Sequence, residues 1–328
     1  MLSRTADHLF WMGRYTERAE NTARMLAVTL QMSLLPHDAD AREVAWLAVL
    51  RISELQNAYA ARHAAVTAHD VLHYMVRDTQ NPSSTCSCLR AARENARAVR
   101  GSLTTEVWET VNANWLELQE QIQSNLLERN PGAFFERIKH NSHLVRGAII
   151  STMQEDEALY FLRIGMRLER ADNTARMLDV KFHEHENPAP SQETHEPPLP
   201  GPAQQKEFYR WSAIVDAVSA MEIYRKVYRD VISPERVAEL LMLRHDIPRS
   251  LLCAVSDLSA DLARVANTRS GETLRRLGML RAELEYGRVE DVFRDGLHRY
   301  LERFLECIND LGNRISQDFL IPLAAHAE

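Results

Sequence analysis

Apolar residues recur at i, i+3, i+4 and i+7 along nearly the whole chain, and no alternating β-branched run bounded by tight-turn residues interrupts them. The pattern predicts an all-α protein, with helices over about 2–35, 40–62, 68–79, 83–100, 104–129, 132–153, 157–185, 206–230, 234–245, 249–267, 271–286 and 288–317. The first, stopped by Pro36, would be roughly 50 Å long and would set the long axis of an elongated multi-helix bundle. Ser233-Pro234-Glu235 supplies an N-cap, a first-turn proline and an early acid, and Asn81-Pro82-Ser83 is a comparable start. One stretch breaks the period. From 186 to 205 the chain is dense in proline and too poor in apolar side chains to pack, so a flexible connector between two halves is expected there. The long first helix needs partners from the whole chain to cover it, so residues 1–328 are expected to form one domain.

The halves share a repeat. Residues 17–26 read Glu-Arg-Ala-Glu-Asn-Thr-Ala-Arg-Met-Leu, and residues 169–178 differ from them only in Asp172 against Glu20. A duplicated helix that needed only its apolar stripe would let its other faces drift, yet here every face agrees. In the first copy Leu9, Met12, Tyr15, Ala19, Ala23, Leu26 and Leu30 form the stripe, with Ala19 and Ala23 small enough for a partner helix to come close. In the second copy the stripe is Phe161, Ile164, Ala171, Ala175, Leu178 and Phe182. The opposite side of the first copy holds Arg14, Glu17, Asn21 and Arg24 between Phe10 and Val28. That of the second holds Glu169, Asn173 and Arg176 between Leu162, Met166 and Val180. Polar patches with apolar ends predict a partly buried Glu/Arg/Asn network, in which losing one charged partner costs about 3–5 kcal/mol. Such a network serves equally as an internal brace or as a site for a carboxylate or phosphate, because guanidinium fits either partner. Arg14 stands where the second copy has Met166, so the two patches are not chemically equivalent.

Composition narrows the function. With 11 glycines in 328 residues and no cluster of them, neither a P-loop nor a Rossmann phosphate cradle is present. The net charge of −7 provides no basic field for nucleic acid or an anionic membrane. No run reaches the length of a membrane span. Four cysteines make no disulfide framework, and Asp7, Arg14, Glu17 and Arg18 occupy what would be a secretory leader, so a cytoplasmic location is expected. A di-iron carboxylate bundle would need Glu-x-x-His pairs, which are absent. His69 and His73 lie one turn apart, and His183 and His185 sit with Glu184 and Glu186 near the connector, but neither pair has a third ligand in view; no metal and no cofactor are expected. Cys86 and Cys88 point to different sides of their helix, and the tryptophans Trp11, Trp46, Trp108, Trp115 and Trp211, with Tyr224 and Tyr228, are assigned to packing.

The duplicated motif, together with Asn81-Pro82-Ser83-Ser84, the run Ala92 to Arg100, Glu106-Val107-Trp108-Glu109 with Asn112, and Ile247-Pro248-Arg249-Ser250-Leu251, resembles the alpha-E family, all-helical bacterial proteins with an embedded Glu-Arg motif. The resemblance covers essentially the whole chain. It implies motif residues Glu17, Arg18, Glu169 and Arg170, and a second polar signature in Arg93, Glu94, Asn95 and Arg97. It further implies a place beside a circularly permuted ATP-grasp ligase and a transglutaminase-like protein, in a system that makes or modifies peptide amide bonds. The expected role is an accessory or peptide-binding partner of that ligase without catalysis of its own. Two alternatives stand beside it: an enzyme acting on the peptide with Glu17 or Glu169 as general base, and a scaffold whose motif fixes helix register.

Overall fold

A computed structural model describes residues 1–33, 39–186 and 202–320, and every regular element among them is helical. The first eight α-helices are α1 (Ser3–Ser33), α2 (Ala39–Ile52), α3 (Gln56–Ala60), α4 (Ala68–Val76), α5 (Thr85–Ala98), α6 (Thr105–Gln123), α7 (Leu126–Arg129) and α8 (Pro131–Thr152). Eight more follow: α9 (Glu157–Glu186), α10 (Pro202–Ala217), α11 (Met221–Tyr228), α12 (Pro234–Met242), α13 (Leu251–Arg264), α14 (Gly271–Tyr286), α15 (Val289–Asp295) and α16 (Leu297–Phe319). Pro36 and most of the expected 186–205 connector lie outside the described residues; of the connector's ends, Glu186 closes α9 and 202–205 open α10.

Four of the expected helices are each two. The breaks fall at Glu54, Asn125, Ser219 and Gly296, all at positive φ (56°, 53°, 55° and 96°). At Glu54 and Ser219 the chain closes a Schellman turn: Leu55 N–H donates to Leu50 C=O at 2.8 Å and Ala220 N–H to Val215 C=O at 2.8 Å. Glycine usually marks such a turn, and here Glu, Asn and Ser occupy three of the four, so periodicity runs through them unbroken.

The two sets of eight repeat one another in packing as well as order. α1 packs on α5 and α8 as α9 packs on α13 and α16; α6 rests on α5 and α8 as α14 does on α13 and α16; α10 lies against α1 as α2 lies against α9. The residue before a helix recurs 166 positions later four times: Thr67 and Ser233, Ser84 and Ser250, Thr104 and Ser270, Asn130 and Gly296. The motif residues Glu17 and Glu169 are only 152 apart, and most of the difference falls in the longer connection between α9 and α10.

At the centre α1 and α9 run side by side, parallel and in register. The Met1 ammonium meets Glu157 at their starts, and Met25 and Met177 line one cavity near their ends. Gly13 and Gly165 sit where the backbones touch. A Cβ on Gly13 would stand 2.2 Å from the Leu162 carbonyl oxygen, and one on Gly165 2.1 Å from that of Phe10. The expectation of a single core stripe on α1 is corrected here: Phe10, Gly13, Glu17, Glu20 and Asn21 are buried along with Leu9, Met12, Ala19 and Ala23, because α1 is enclosed by neighbours on nearly every side. Cys86 and Cys88 are buried, as are Trp46, Trp211 and Tyr224, while Trp11, Trp108, Trp115 and Tyr228 pack partly buried against the core.

Replacing Gly13 by Ala is expected to cost about 1–3 kcal/mol by pushing the two central backbones apart, seen as a melting temperature lower by several degrees. Gly147→Ala, where an added Cβ meets nothing within 4 Å on an exposed helical site, is expected to stabilise by up to about 1 kcal/mol. Equal melting temperatures for the two variants would contradict the close approach.

Candidate functional site

Because α1 and α9 lie in register, each motif glutamate faces the arginine of the other copy. Arg170 grips Glu17 with two parallel bonds, Nε to Oε1 at 2.9 Å and Nη2 to Oε2 at 2.8 Å. Arg18 grips Glu169 likewise, Nε to Oε1 at 2.5 Å and Nη2 to Oε2 at 3.0 Å. These fork-to-fork pairs are the strongest ion-pair geometry available to the two side chains. They are crossed, so each half holds the other.

Around Glu17 a larger cluster is built. Arg249, delivered by the turn before α13, donates to Glu17 at 3.2 Å, to Asn21 Oδ1 at 2.7 Å and to Glu20 at 2.6 Å. Arg146 of α8 bridges Glu17 and Glu20. Arg24, one turn along α1, donates to Glu20 at 2.8 Å, to Ser219 Oγ at 2.5 Å and to His143 Nε2 at 3.0 Å. Since guanidinium only donates, His143 Nε2 accepts and its proton sits on Nδ1. Glu17 and Glu20 are 0% exposed. Around Glu169 the set is smaller: Arg14 donates to Oε2 at 2.8 Å, and Arg18 also reaches Ser83 Oγ at 3.4 Å. Asp172 pairs with Arg176 at 2.8 and 2.9 Å, and Arg176 meets Glu54.

Burial alone would raise the Glu17 carboxyl, but the guanidiniums of Arg170, Arg249 and Arg146 outweigh it and hold the group well below the usual carboxylate range. Burial acts the same way on Glu169, where Arg14 and Arg18 win. For Glu20, burial and the charge of Glu17 are overcome by Arg249, Arg146 and Arg24. The arginines are not all alike. Arg249 falls to about 10, through burial and the charges of Arg170 and Arg24, despite two carboxylates beside it, and so remains charged at neutrality in a site where positive charge is in excess.

Of the residues singled out from the sequence, Glu17, Asn21, Arg24 and Arg170 meet in the first cluster and Arg14, Arg18 and Glu169 in the second, with Arg176 alongside. Asn173 is partly buried, its Oδ1 without a partner. The set Arg93, Glu94, Asn95 and Arg97 stands apart on α5. Arg93 ties to Asn112 of α6 at 2.8 Å, Glu94 accepts from Arg93 and Arg97, and Asn95 faces His8 of α1 at 2.8 Å. Glu20 lies within the repeat but off the patch singled out from it, and the repeat does not reach Arg146, His143 or Arg249. Arg249 had a signal: Pro82-Ser83-Ser84 and Pro248-Arg249-Ser250 are the same turn in the two halves, each ending in the N-cap serine of a helix packed on a motif helix. Among the described residues no group of three or more His, Cys, Asp or Glu could hold a metal, and His69 is exposed beside Asp70; the side chains of His183 and His185 lie outside the described set.

These features define a duplicated all-helical protein whose halves are locked by crossed glutamate–arginine pairs. The chain belongs to the Alpha-E family, described as a predicted alpha-helical domain with a conserved ER motif, which it matches over residues 1–320. It is 26% identical over 327 residues to an uncharacterized protein of Mycobacterium bovis and, at the same identity, to one of Mycobacterium tuberculosis, covering 93% of this chain. The chain spans 35% of the length of those relatives. No solved structure matches. No helix among the described residues is long and apolar enough to cross a membrane.

Removing one member of a crossed pair leaves a buried charge without its partner, so Arg170→Ala and Glu17→Ala are each expected to cost about 3–5 kcal/mol in denaturant unfolding. In acid the sign is set by groups pulling in opposite directions. Glu17, Glu20 and Glu169 lie below their ordinary value of 4.5 when folded, so the stability they add is present above that value and is lost as pH falls through their folded values. Asp261, raised to about 6 by burial against the pull of Arg163 and Arg167, favours folding as pH falls from about 6 toward its ordinary 3.8. Relative to Asp261→Asn, the wild type is expected to gain unfolding free energy as pH falls from about 6 toward 4, and both are expected to collapse below about 4. Parallel profiles for the two proteins between pH 6 and 4 would contradict this assignment.

Proposed function

We propose that this chain is a non-catalytic, peptide-binding partner of a circularly permuted ATP-grasp ligase that forms amide bonds, and that its Glu-Arg motif is the brace that holds the partner's shape. The observation that carries the reading is the state of the motif carboxylates. A general base works when its pKa lies near the operating pH and its oxygens reach a substrate. Glu17 is closed off from solvent and held far below neutrality by three arginines, and Glu169 is 4% exposed and held down by two, which disfavours the reading in which either abstracts a proton. The resemblance to the alpha-E family supplies the ligase and a transglutaminase-like protein as the class of partner. That the matched region makes up about a third of the mycobacterial chains supports a domain that works joined to, or beside, other units. The absence of any glycine cluster supports leaving ATP to the partner; four cysteines without a disulfide fit a reducing, cytoplasmic setting, and the alpha-E resemblance supplies a bacterial one.

The purified chain alone is expected to release no phosphate from ATP. Mixed with an ATP-grasp ligase of the same genome, it is expected to co-elute with it on a sizing column and to raise product formation. Glu17→Gln, assayed at a temperature where circular dichroism shows it folded, is expected to retain that stimulation. Complete loss of stimulation in the folded variant would favour Glu17 as a catalytic base, and ATP hydrolysis by the chain alone would defeat the reading.

A further inference from the structure

We infer that the outer edge of the Glu17 cluster, where Arg146 and His143 reach solvent, is a binding site for an oxyanion, either a carboxylate or a phosphate group. The inference does not rest on the ligase partnership; it rests on a comparison the molecule makes with itself. Two carboxylates, Glu17 and Glu20, meet four arginines, Arg24, Arg146, Arg170 and Arg249, in the first cluster. Around Glu169 the corresponding set is Glu169, Asp172 and Glu54 against Arg14, Arg18 and Arg176. The second set is neutral, and the first, though each of its arginines meets a carboxylate, carries two more positive charges than negative ones.

The surplus comes from particular positions. At the spacing of 166 that relates α8 to α16 and the turn before α5 to that before α13, Gly312 corresponds to Arg146 and Ser83 to Arg249; at the end of the second helix of each half, Glu54 corresponds to Ser219. Each difference makes the first cluster more positive. The loss of Arg14, whose counterpart is Met166, offsets one of them. In the second cluster Arg14 fills the space beside Gly312, its Nη1 lying 3.8 Å from where a Cβ there would be, so the fold accommodates a neutral arrangement at this position. A brace alone needs no more than the neutral version.

The cluster also keeps donors unused. Asn21, 4% exposed, accepts from Arg249 through Oδ1 while its buried Nδ2 has no partner among the described residues, and Arg146 Nε is likewise buried without one. Burying an amide or guanidinium N–H without an acceptor costs free energy, and an anion supplies the acceptor. The way in is at the rim: the His143 side chain is 55% exposed and that of Arg146 27% exposed, and the tautomer fixed by Arg24 leaves the Nδ1–H of His143 as a donor with no acceptor among the described residues. Leu144 and Ile150, both exposed on α8 beside these residues, would suit a carboxylate carried on an apolar body.

The test is a titration of the full chain, by calorimetry and by the imidazole NMR signals of His143, with inorganic phosphate and separately with N-acetylleucine. The groups facing this ring are Glu20 and Arg24 of α1, Arg146 of its own helix and Arg249 before α13. A bound anion is expected to saturate and to raise the His143 titration midpoint. Arg146→Gln and His143→Gln are each expected to weaken binding about tenfold, the worth of one charge-assisted hydrogen bond, while Arg176→Gln in the second cluster leaves it unchanged. Tighter binding of N-acetylleucine identifies the ligand as a carboxylate such as a peptide terminus; tighter binding of phosphate identifies a phosphorylated group. No saturation with either probe, or wild-type binding by His143→Gln, overturns the site. His143→Gln alone decides the matter if Arg146→Gln does not fold.

Discussion

The crossed pairing of Glu17 with Arg170 and Glu169 with Arg18 is the constraint on which the rest of the architecture depends. Two bidentate ion pairs at one level of two parallel helices fix their register, because a slip of one residue would turn each carboxylate roughly 100° away from its guanidinium. Register in turn places Gly13 against Leu162 and Gly165 against Phe10, so that both close backbone contacts form at glycine. The apolar residues of α1 and α9 would tolerate several alignments; buried charges tolerate one. Buried ion pairs are weak sources of net stability but can select among alternatives, which fits the brace proposed for the motif.

How much of this the chain discloses before folding depends on whether the signal is local. The helices and their approximate limits follow from periodicity, and burial of the motif follows from identity between copies on faces that solvent would have let drift. Three of the four missed breaks have one cause: a left-handed residue ends a helix through the hydrogen bonds of its neighbours, and Glu54, Asn125 or Ser219 advertises that far less than glycine does; the fourth falls at Gly296. The crossing of the pairs is a relation between helices 152 positions apart, invisible to any reading of one helix face. Arg146 and Arg249 are harder still. Each comes from an element outside the repeat that can be recognised by identity; Arg249 stands in one of the motifs that carry the family resemblance, but only the equivalence of the turns at 82–84 and 248–250, seen once the helices are placed, brings it to the Glu17 cluster.

Duplication reaches far beyond the ten matching residues. Helix order, packing partners and four helix starts agree across two halves whose sequences outside the motif have diverged, as expected when apolar positions need only size and pattern while the ion pairs need identity. Each motif carboxylate is gripped by the other half's arginine, so a change in one copy is felt by both. The copies are therefore bound to agree in the crossed pairs themselves and free to differ in the further residues that reach the same carboxylates, which is where they do differ: Arg249 against Ser83, Arg146 against Gly312, Met166 against Arg14.

That outer difference sets the two clusters on separate physical footings. Around Glu169 the charges balance, and its arginines are used up by glutamates and an aspartate. Around Glu17 two further guanidiniums are held against two carboxylates that already have partners. Concentrating positive charge in a poorly solvated place opposes folding, and Arg249 registers the cost in a pKa pushed down to about 10. Local rules broken at a cost in stability are the usual mark of a site kept for something other than stability. The neutral copy, within the same chain and on the same scaffold, shows that the framework does not demand the excess, so the reason for it lies outside the framework, in what the charged rim meets.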